Sequence, residues 1–325
     1  MNFTSLYKSY DDDLRDVEKA LADLFTSSAS LIPAIGLHIM RGGGKRIRPL
    51  FLLITASMLG YTGRSHIVLA SILEAIHTAS LLHDDVVDAA PVRRGQPTAN
   101  SLWGNQVVVL VGDFLYANAL REAVYQKNQM IMEHLSTATT RMTEGELMQL
   151  SKTGDPHVTE DDYLRIIAGK TGALFSAACG IGAILAGGDE QHINAVSDFG
   201  LKVGMVFQMT DDILDYGAEQ ELFGKKLGKD LEEGKITLPL ILLRDLADTE
   251  ERRELVEILS SDITDAKKNL LRIHALFEKY EILQKSMERA AAFTREANLC
   301  LSVFDNSHDT EELKILAEYA LQRGK

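Results

Sequence analysis

Basic residues, cysteines and prolines are all scarce in this 325-residue chain, and each shortage removes a class of reading. The 34 Lys and Arg stand against 47 Asp and Glu, giving a formal net charge of −13 and a pI near 5.2. A nucleic-acid surface needs a basic stripe, so that class is set aside and no nucleic-acid partner is expected. A polyanionic ligand would have to be gripped locally, by clustered Lys and Arg or through metal. Cys179 and Cys300 are far apart and fit no zinc spacing, which suits buried, reduced thiols in a reducing compartment. The first residues, MNFTSLYKSYDDD, lack the basic and apolar blocks of an export signal, so a cytoplasmic protein is expected. No GxSxG, no Cys/His dyad spacing and no strand-borne GxGxxG occurs, which removes the common nucleophile and dinucleotide chemistries.

Proline occurs only at 33, 49, 91, 97, 156 and 239, so long stretches of chain are free to be helical. Within 67–83, Leu69, Ile72, Leu73, Ile76 and Leu81 recur at the spacing of one helix face, and similar periodicity returns near 255–260 and in ELKILAEYALQ. The run VVVLV at 107–111 has β propensity, but its neighbours on both sides read as helix and it is taken as helical. Breaks are expected at Gly42–Gly44, Pro91–Pro97, Thr153–Pro156, Gly187–Asp189 and Phe223–Gly234. The uncharged stretch TGALFSAACGIGAILAGG, 171–188, has the minimum length of a membrane span. Its five glycines and its Thr, Ser and Cys make it weakly apolar, so it is read as a buried helix and no stable membrane span is expected. With no linker and no fixed repeat, residues 1–325 are expected to form one all-α domain.

The charge is concentrated. In LLHDDVVDAAPVRRG, Asp84 and Asp88 stand four apart and share a helix face, with Asp85 to one side. Like charges there destabilise a helix, and a divalent cation removes the conflict; Mg2+ takes one or two carboxylates plus water and phosphate oxygens. A lone DDxxD is more often a solvated acidic face. DDILD at 211–215 repeats the pattern after a second apolar run, GLKVGMVFQMT, and two copies favour paired metal sites facing one cavity. Basic residues gather where such sites need counter-charge: Arg93 and Arg94; Lys45, Arg46 and Arg48 in GGGKRIRP; Lys170 before Thr171; and Lys225, Lys226, Lys229 and Lys235. GGGK is no phosphate loop, because Arg46 stands where Ser or Thr is required. His77 and His83 are six apart, so they do not form a helical metal pair and read as structural on spacing alone.

These elements, in this order, make the chain resemble the trans-type polyprenyl diphosphate synthases. The resemblance runs from about residue 30 to the end and includes GGKRIRP, HDDVVD with the RRG that follows, EGELMQL, Lys170–Thr171, FQMTDDILD and GKKLGKDLEEGKITLP. It implies the isoprenoid synthase fold, a bundle of long antiparallel helices around a central cavity, usually as a homodimer. It also implies that Asp84 and Asp88 bind a pair of Mg2+ ions with the allylic diphosphate and Asp211 a third, with Asp85, Asp212 and Asp215 in support. Arg93, Lys170, Thr171, Gln208, Lys225 and, more weakly, Lys235 would hold the allylic substrate, farnesyl or geranyl diphosphate. Lys45, Arg48, His77 and Arg94 would hold isopentenyl diphosphate, which replaces the structural reading of His77. Asp84, Asp85, Asp88, Lys170, Asp211 and Asp212 would then be catalytic, promoting ionisation of the allylic carbon–oxygen bond, attack by the isopentenyl double bond and proton loss to the released pyrophosphate.

The small residues Ala79, Ser80 and Ala75 precede the first motif where short-product relatives carry bulk, so the resemblance points to long products for quinone side chains. Lengths from hexaprenyl to decaprenyl stay open, with octaprenyl preferred; Ile72 or Ile76 would narrow the path. A farnesyl- or geranylgeranyl-forming synthase, a class I terpene cyclase and a non-catalytic partner subunit are the alternatives. The complete aspartate motifs and the second diphosphate site weigh against the last two.

Overall fold

The structure is a computed structural model that describes residues 2–217, 229–260, 266–304 and 308–323. Its helices, in chain order, begin with α1 (Phe3–Ser9), α2 (Asp11–Asp23), α3 (Leu31–Arg41), α4 (Ile47–Met58) and α5 (Ser65–Val87). A short antiparallel pair follows, β1 (Val92–Arg93) with β2 (Gln96–Pro97), then α6 (Ala99–Trp103), α7 (Asn105–Tyr125) and α8 (Gln129–Ser151). Next come α9 (Glu160–Ile167), a π-helical turn at Ala168–Gly172, α10 (Ala173–Leu185) and α11 (Glu190–Leu214). The remainder is α12 (Lys229–Glu232), α13 (Leu238–Leu246), α14 (Thr249–Ser260), α15 (Ala266–Tyr280), α16 (Ile282–Cys300) and α17 (His308–Gln322). Apart from the β1–β2 pair, the described residues form helices and their connections, so the all-α expectation holds.

The chain forms two compact units. The first comprises Met1–Thr139, Ala177–Ser197 and Val303–Ile315, and the second Thr140–Ser176, Asp198–Ser302 and Leu316–Lys325. In the first, α5 is the central element and packs against α2, α4 and α7. Leu69, Ile72, Leu73 and Ile76 are at most 2% exposed, as the periodicity requires, and Leu81 is half-buried. α2 opens on Asp11, Asp12 and Asp13, carboxylates that suit the positive end of a helix, and buries Leu14, Val17 and Leu21. The VVVLV run lies in α7: Val108 and Val111 face inward while Val109 and Leu110 are 36% and 68% exposed, a helical division of the run.

The uncharged stretch from Thr171 belongs to a long apolar helical segment, Glu160–Leu185, of whose most apolar window 78% is buried. Its small residues permit close approach. A Cβ on Gly182 would lie 2.7 Å from the Leu52 carbonyl oxygen, so α10 meets the α4 backbone only with glycine there.

In the second unit, α9 starts with a capping box, in which the Thr159 and Asp162 side chains each accept from the other's backbone N–H. Pro239 stands in the first turn of α13, where its missing N–H costs nothing. α13 packs on α14, α15 and α16. The expected breaks at Gly42–Gly44, Thr153–Pro156 and Gly187–Asp189 fall between helices; of Phe223–Gly234 the first half lies outside the described residues and the second half holds the short helix α12, which the expected break did not foresee. The Pro91–Pro97 break is a hairpin whose two loop residues, Arg94 and Gly95, both have left-handed backbone (φ 51° and 74°), as a tight two-residue turn demands.

Candidate active site

Both acidic motifs stand at the electrostatically unfavourable end of a helix. α5 ends at Val87, and the Asp88 N–H donates to the Asp84 carbonyl at 2.8 Å, closing the last turn. α11 ends at Leu214, and the Asp215 N–H donates to the Asp211 carbonyl at 3.0 Å in the same way. A helix C-terminus carries partial negative charge and prefers cations. Neither last turn contains a basic residue. Each motif therefore sets carboxylates against a negative helix end, an arrangement that an external cation relieves.

In the first unit, Asp85 is 4% exposed and accepts from Arg93 Nε at 2.8 Å, which ties the hairpin to the end of α5. Arg94, beside it, donates through Nη1 to the Gly43 carbonyl and so joins the hairpin to the GGGKR segment. That segment is fixed from beneath by Arg46, a residue with left-handed backbone (φ 46°). Arg46 Nη1 lies 2.8 Å from Glu74 Oε1 and Arg46 Nε 3.3 Å from Glu18 Oε1. Arg46 is buried, whereas Lys45 is exposed and Arg48 half-buried.

His77 is on α5, about one turn beyond Glu74. Burial, and then the charges of Arg48, Arg94, Arg93 and Arg46, hold its imidazole well below the usual histidine range. It is therefore neutral at pH 7, with one N–H to donate. Burial pushes the Arg48 guanidinium down to about 10, opposed by Glu74 and reinforced by Arg94. The structure thus brings the cations Arg48, Arg93 and Arg94 together around the neutral His77. His83 has a different role: its Nε2 lies 3.2 Å from the Val109 carbonyl on α7, in space that a Cβ on Gly112 would fill.

Of the small residues before the first motif, Ala75 and Ala79 are 0% and 1% exposed, and Ser80 Oγ donates back to the His77 carbonyl at 2.8 Å. Ser80 thereby spends its hydroxyl on its own helix.

The second unit contains a cavity of about 90 Å3 whose polar lining includes Gln149, Lys170, Gln208, Asp212, Asp230 and Lys235. Lys170 projects from the π-helical turn, an irregularity that re-aims side chains. Its Nζ lies 2.7 Å from Glu146 Oε2 and 3.0 Å from Gln149 Oε1 on α8. The approach needs Gly145, whose Cβ would lie 2.5 Å from the Lys170 backbone nitrogen. Thr171 Oγ1 donates to Gln208 Oε1 at 2.7 Å, and Gln208 Nε2 donates to Asp212 Oδ1 at 2.8 Å. The Tyr163 hydroxyl donates to the other Asp212 oxygen at 2.6 Å.

Asp212 is therefore buried with both oxygens engaged, and burial pushes its carboxyl up to about 6 against the pull of these donors and of Lys170. Asp211 faces outward instead and pairs with Arg323, whose guanidinium stacks 3.6 Å from the Phe207 ring centre. Asp215 Oδ2 accepts from the Asp230 N–H at 2.9 Å. The Asp230 carboxyl is itself raised well above the usual range, by burial first and then by Asp212 and Asp215. Lys235 Nζ lies 2.6 Å from Glu233 Oε2. Lys225 and Lys226 lie outside the described residues.

Among the described residues, no three or more His, Cys, Asp or Glu gather into a group able to hold a metal by themselves. The donor set fits Mg2+ that keeps water and phosphate oxygens in its shell, with one or two carboxylates per ion. Tyr163, Asp230, Glu74, Glu146 and Arg323 belong to these sites without having been singled out in the sequence. Glu146 and Asp230 lie inside EGELMQL and GKDLEEGK, and for Asp230 the adjacent candidate Lys229 was the available signal.

Residues 29–277 match the sequence profile of the family described as Polyprenyl synthetase. An octaprenyl diphosphate synthase from Escherichia coli (strain K12) is 42% identical over 241 residues, 74% of this chain and 75% of that one. The crystal structure of a decaprenyl diphosphate synthase from Rhodobacter capsulatus superposes with a TM-score of 0.92 at 37% identity, covering 99% of both chains. That of a polyprenyl synthase from Caulobacter crescentus CB15, complexed with calcium and isoprenyl diphosphate, gives 0.91 at 36% identity over 98% of this chain and 97% of that one. Two acidic helix ends, a cluster of cations and a match of this extent place the chain in the polyprenyl synthetase family, as a prenyltransferase.

Proposed function

We propose that this prenyltransferase adds isopentenyl diphosphate units to farnesyl or geranyl diphosphate and releases a long trans-polyprenyl diphosphate, octaprenyl by preference, for quinone side chains. The observation that carries the reading is the pair of aspartate motifs at two helix C-termini that lack a basic residue. The relatives from E. coli and R. capsulatus are an octaprenyl and a decaprenyl synthase, which supports a long product. The C. crescentus relative binds a divalent cation and an isoprenyl diphosphate, which supports a metal-assisted diphosphate site.

In this reading Asp84, Asp88 and Asp211 are the metal-holding carboxylates, with Asp85, Asp212 and Asp215 behind them. Mg2+ at these positions supplies Lewis-acid stabilisation of the departing diphosphate. Arg93, Lys170, Thr171, Gln208 and Lys235, with Lys225 by resemblance, orient the allylic diphosphate and add fixed positive charge where negative charge develops. Lys45, Arg48, Arg94 and the neutral N–H of His77 hold isopentenyl diphosphate, and its double bond attacks the allylic carbon. The proton goes to the released diphosphate. Ala75, Ala79 and Ser80 leave room for the growing chain, so Ala79→Phe should shorten the product.

A homodimer is part of the same proposal, supported by apolar side chains on the outer face of α7: Leu110 is 68% exposed and Val124 56%. Incubation of the purified protein with farnesyl diphosphate and labelled isopentenyl diphosphate tests the reading. Mg2+-dependent chain extension supports it, and cyclised product without isopentenyl incorporation would replace it with a terpene cyclase.

A further inference from the structure

The Tyr163 phenol is buried in the second unit, 2.6 Å from Asp212 Oδ2. An ionised carboxylate can only accept hydrogen bonds. Gln208 must therefore turn its nitrogen, not its oxygen, toward Asp212 Oδ1, where the separation is 2.8 Å. The amide oxygen then accepts from Thr171 Oγ1 at 2.7 Å. Read from one end to the other, hydroxyl, amide, carboxylate and phenol form a chain in which each donor direction is determined by its neighbour. Gln208 has two N–H groups and spends one on Asp212. Its side chain is half-buried and lines the cavity that also contains Lys170 and Lys235.

We propose that Tyr163 is a positioning residue: acting through Asp212, it locks the Gln208 amide so that its second N–H is presented to the allylic diphosphate. The inference rests on the proposed function above. The phenol is suited to the task because it is a neutral donor. It satisfies a buried carboxylate without consuming any of the cavity lysines, Lys152, Lys170 and Lys235.

The test is a double-mutant cycle of Tyr163→Phe and Gln208→Ala, read in two ways. One is the split between the KM values for the two substrates, with melting temperature alongside. The other is calorimetric binding of inorganic pyrophosphate in Mg2+, which needs no turnover. Tyr163→Phe should raise the allylic KM and weaken pyrophosphate binding by about tenfold while leaving the isopentenyl KM within about twofold. In the Gln208→Ala background the same substitution should change neither. Penalties that multiply in the double variant, or an equal rise in both KM values, would overturn the proposal. A wild-type protein that extends no allylic diphosphate would instead sink the functional reading, and the pyrophosphate cycle would still report on Tyr163.

Discussion

Arg46 and Glu74 form an ion pair with 2.8 Å between nitrogen and oxygen and with side chains only 6% and 7% exposed. The pair connects the GGGKR segment to α5 one turn before His77. Removing one partner of a buried pair strands the other charge, which costs about 3–5 kcal/mol. Arg46→Met should cost that much by urea unfolding, and isopentenyl diphosphate binding should weaken because Lys45 and Arg48 lose their anchor. Arg46→Met with Glu74→Leu should recover most of the stability and little of the binding.

The first aspartate motif sets Asp84 and Asp88 at the negative end of α5. Asp88→Asn should raise metal-free stability by about 0.3–1 kcal/mol, since it removes a negative charge from a negative helix end. The same substitution should shrink the rise in melting temperature that Mg2+ with pyrophosphate produces, because less ligand binds the folded state. Thermal melts with and without the two ligands measure both effects.

Asp212 gives a pH dependence of definite sign. Its folded-state value of about 6 lies above the ordinary 3.8, so the native state binds the proton more tightly than the unfolded chain does. Its favourable contribution is complete below about 4 and is lost as the pH rises through about 6. Asp230, raised for the same reason, acts in the same direction. The melting temperature of Asp212→Asn relative to wild type should therefore climb between pH 4 and pH 7 and then level off. A flat difference would show that Asp212 ionises freely.

His77 acts the opposite way. Its folded-state value lies well below 6.5, so the unfolded state takes up the proton first as the pH falls. Its contribution is complete above about 6.5 and is lost progressively below it. His77→Asn should flatten the stability profile on the acid side of 6.5 and should weaken isopentenyl diphosphate binding at pH 8, where wild-type His77 is already neutral.

The helices were legible because proline is rare and apolar residues recur at three and four, and the two motifs were legible because carboxylates four apart on a helix conflict. VVVLV was legible as helix through its neighbours and lies in α7, although only packing divides Val108 from Val109. Three features were not legible. The π-helical turn at Lys170 has no sequence signature and arises where Gly145 and Gly169 let two backbones touch. The roles of Arg46 and Tyr163 are fixed by partners 28 and 49 residues away, Glu74 and Asp212, which local spacing does not reveal. Spacing also treats Asp211 and Asp212 alike, whereas the fold turns one outward to Arg323 and buries the other.

The most direct measurement is the length of the product made from farnesyl diphosphate and labelled isopentenyl diphosphate, with and without Mg2+. A Mg2+-dependent ladder that ends at octaprenyl diphosphate is the predicted result. A stop at geranylgeranyl diphosphate would contradict the role given to Ala79 and its neighbours, and no extension at all would contradict the catalytic reading of both aspartate motifs.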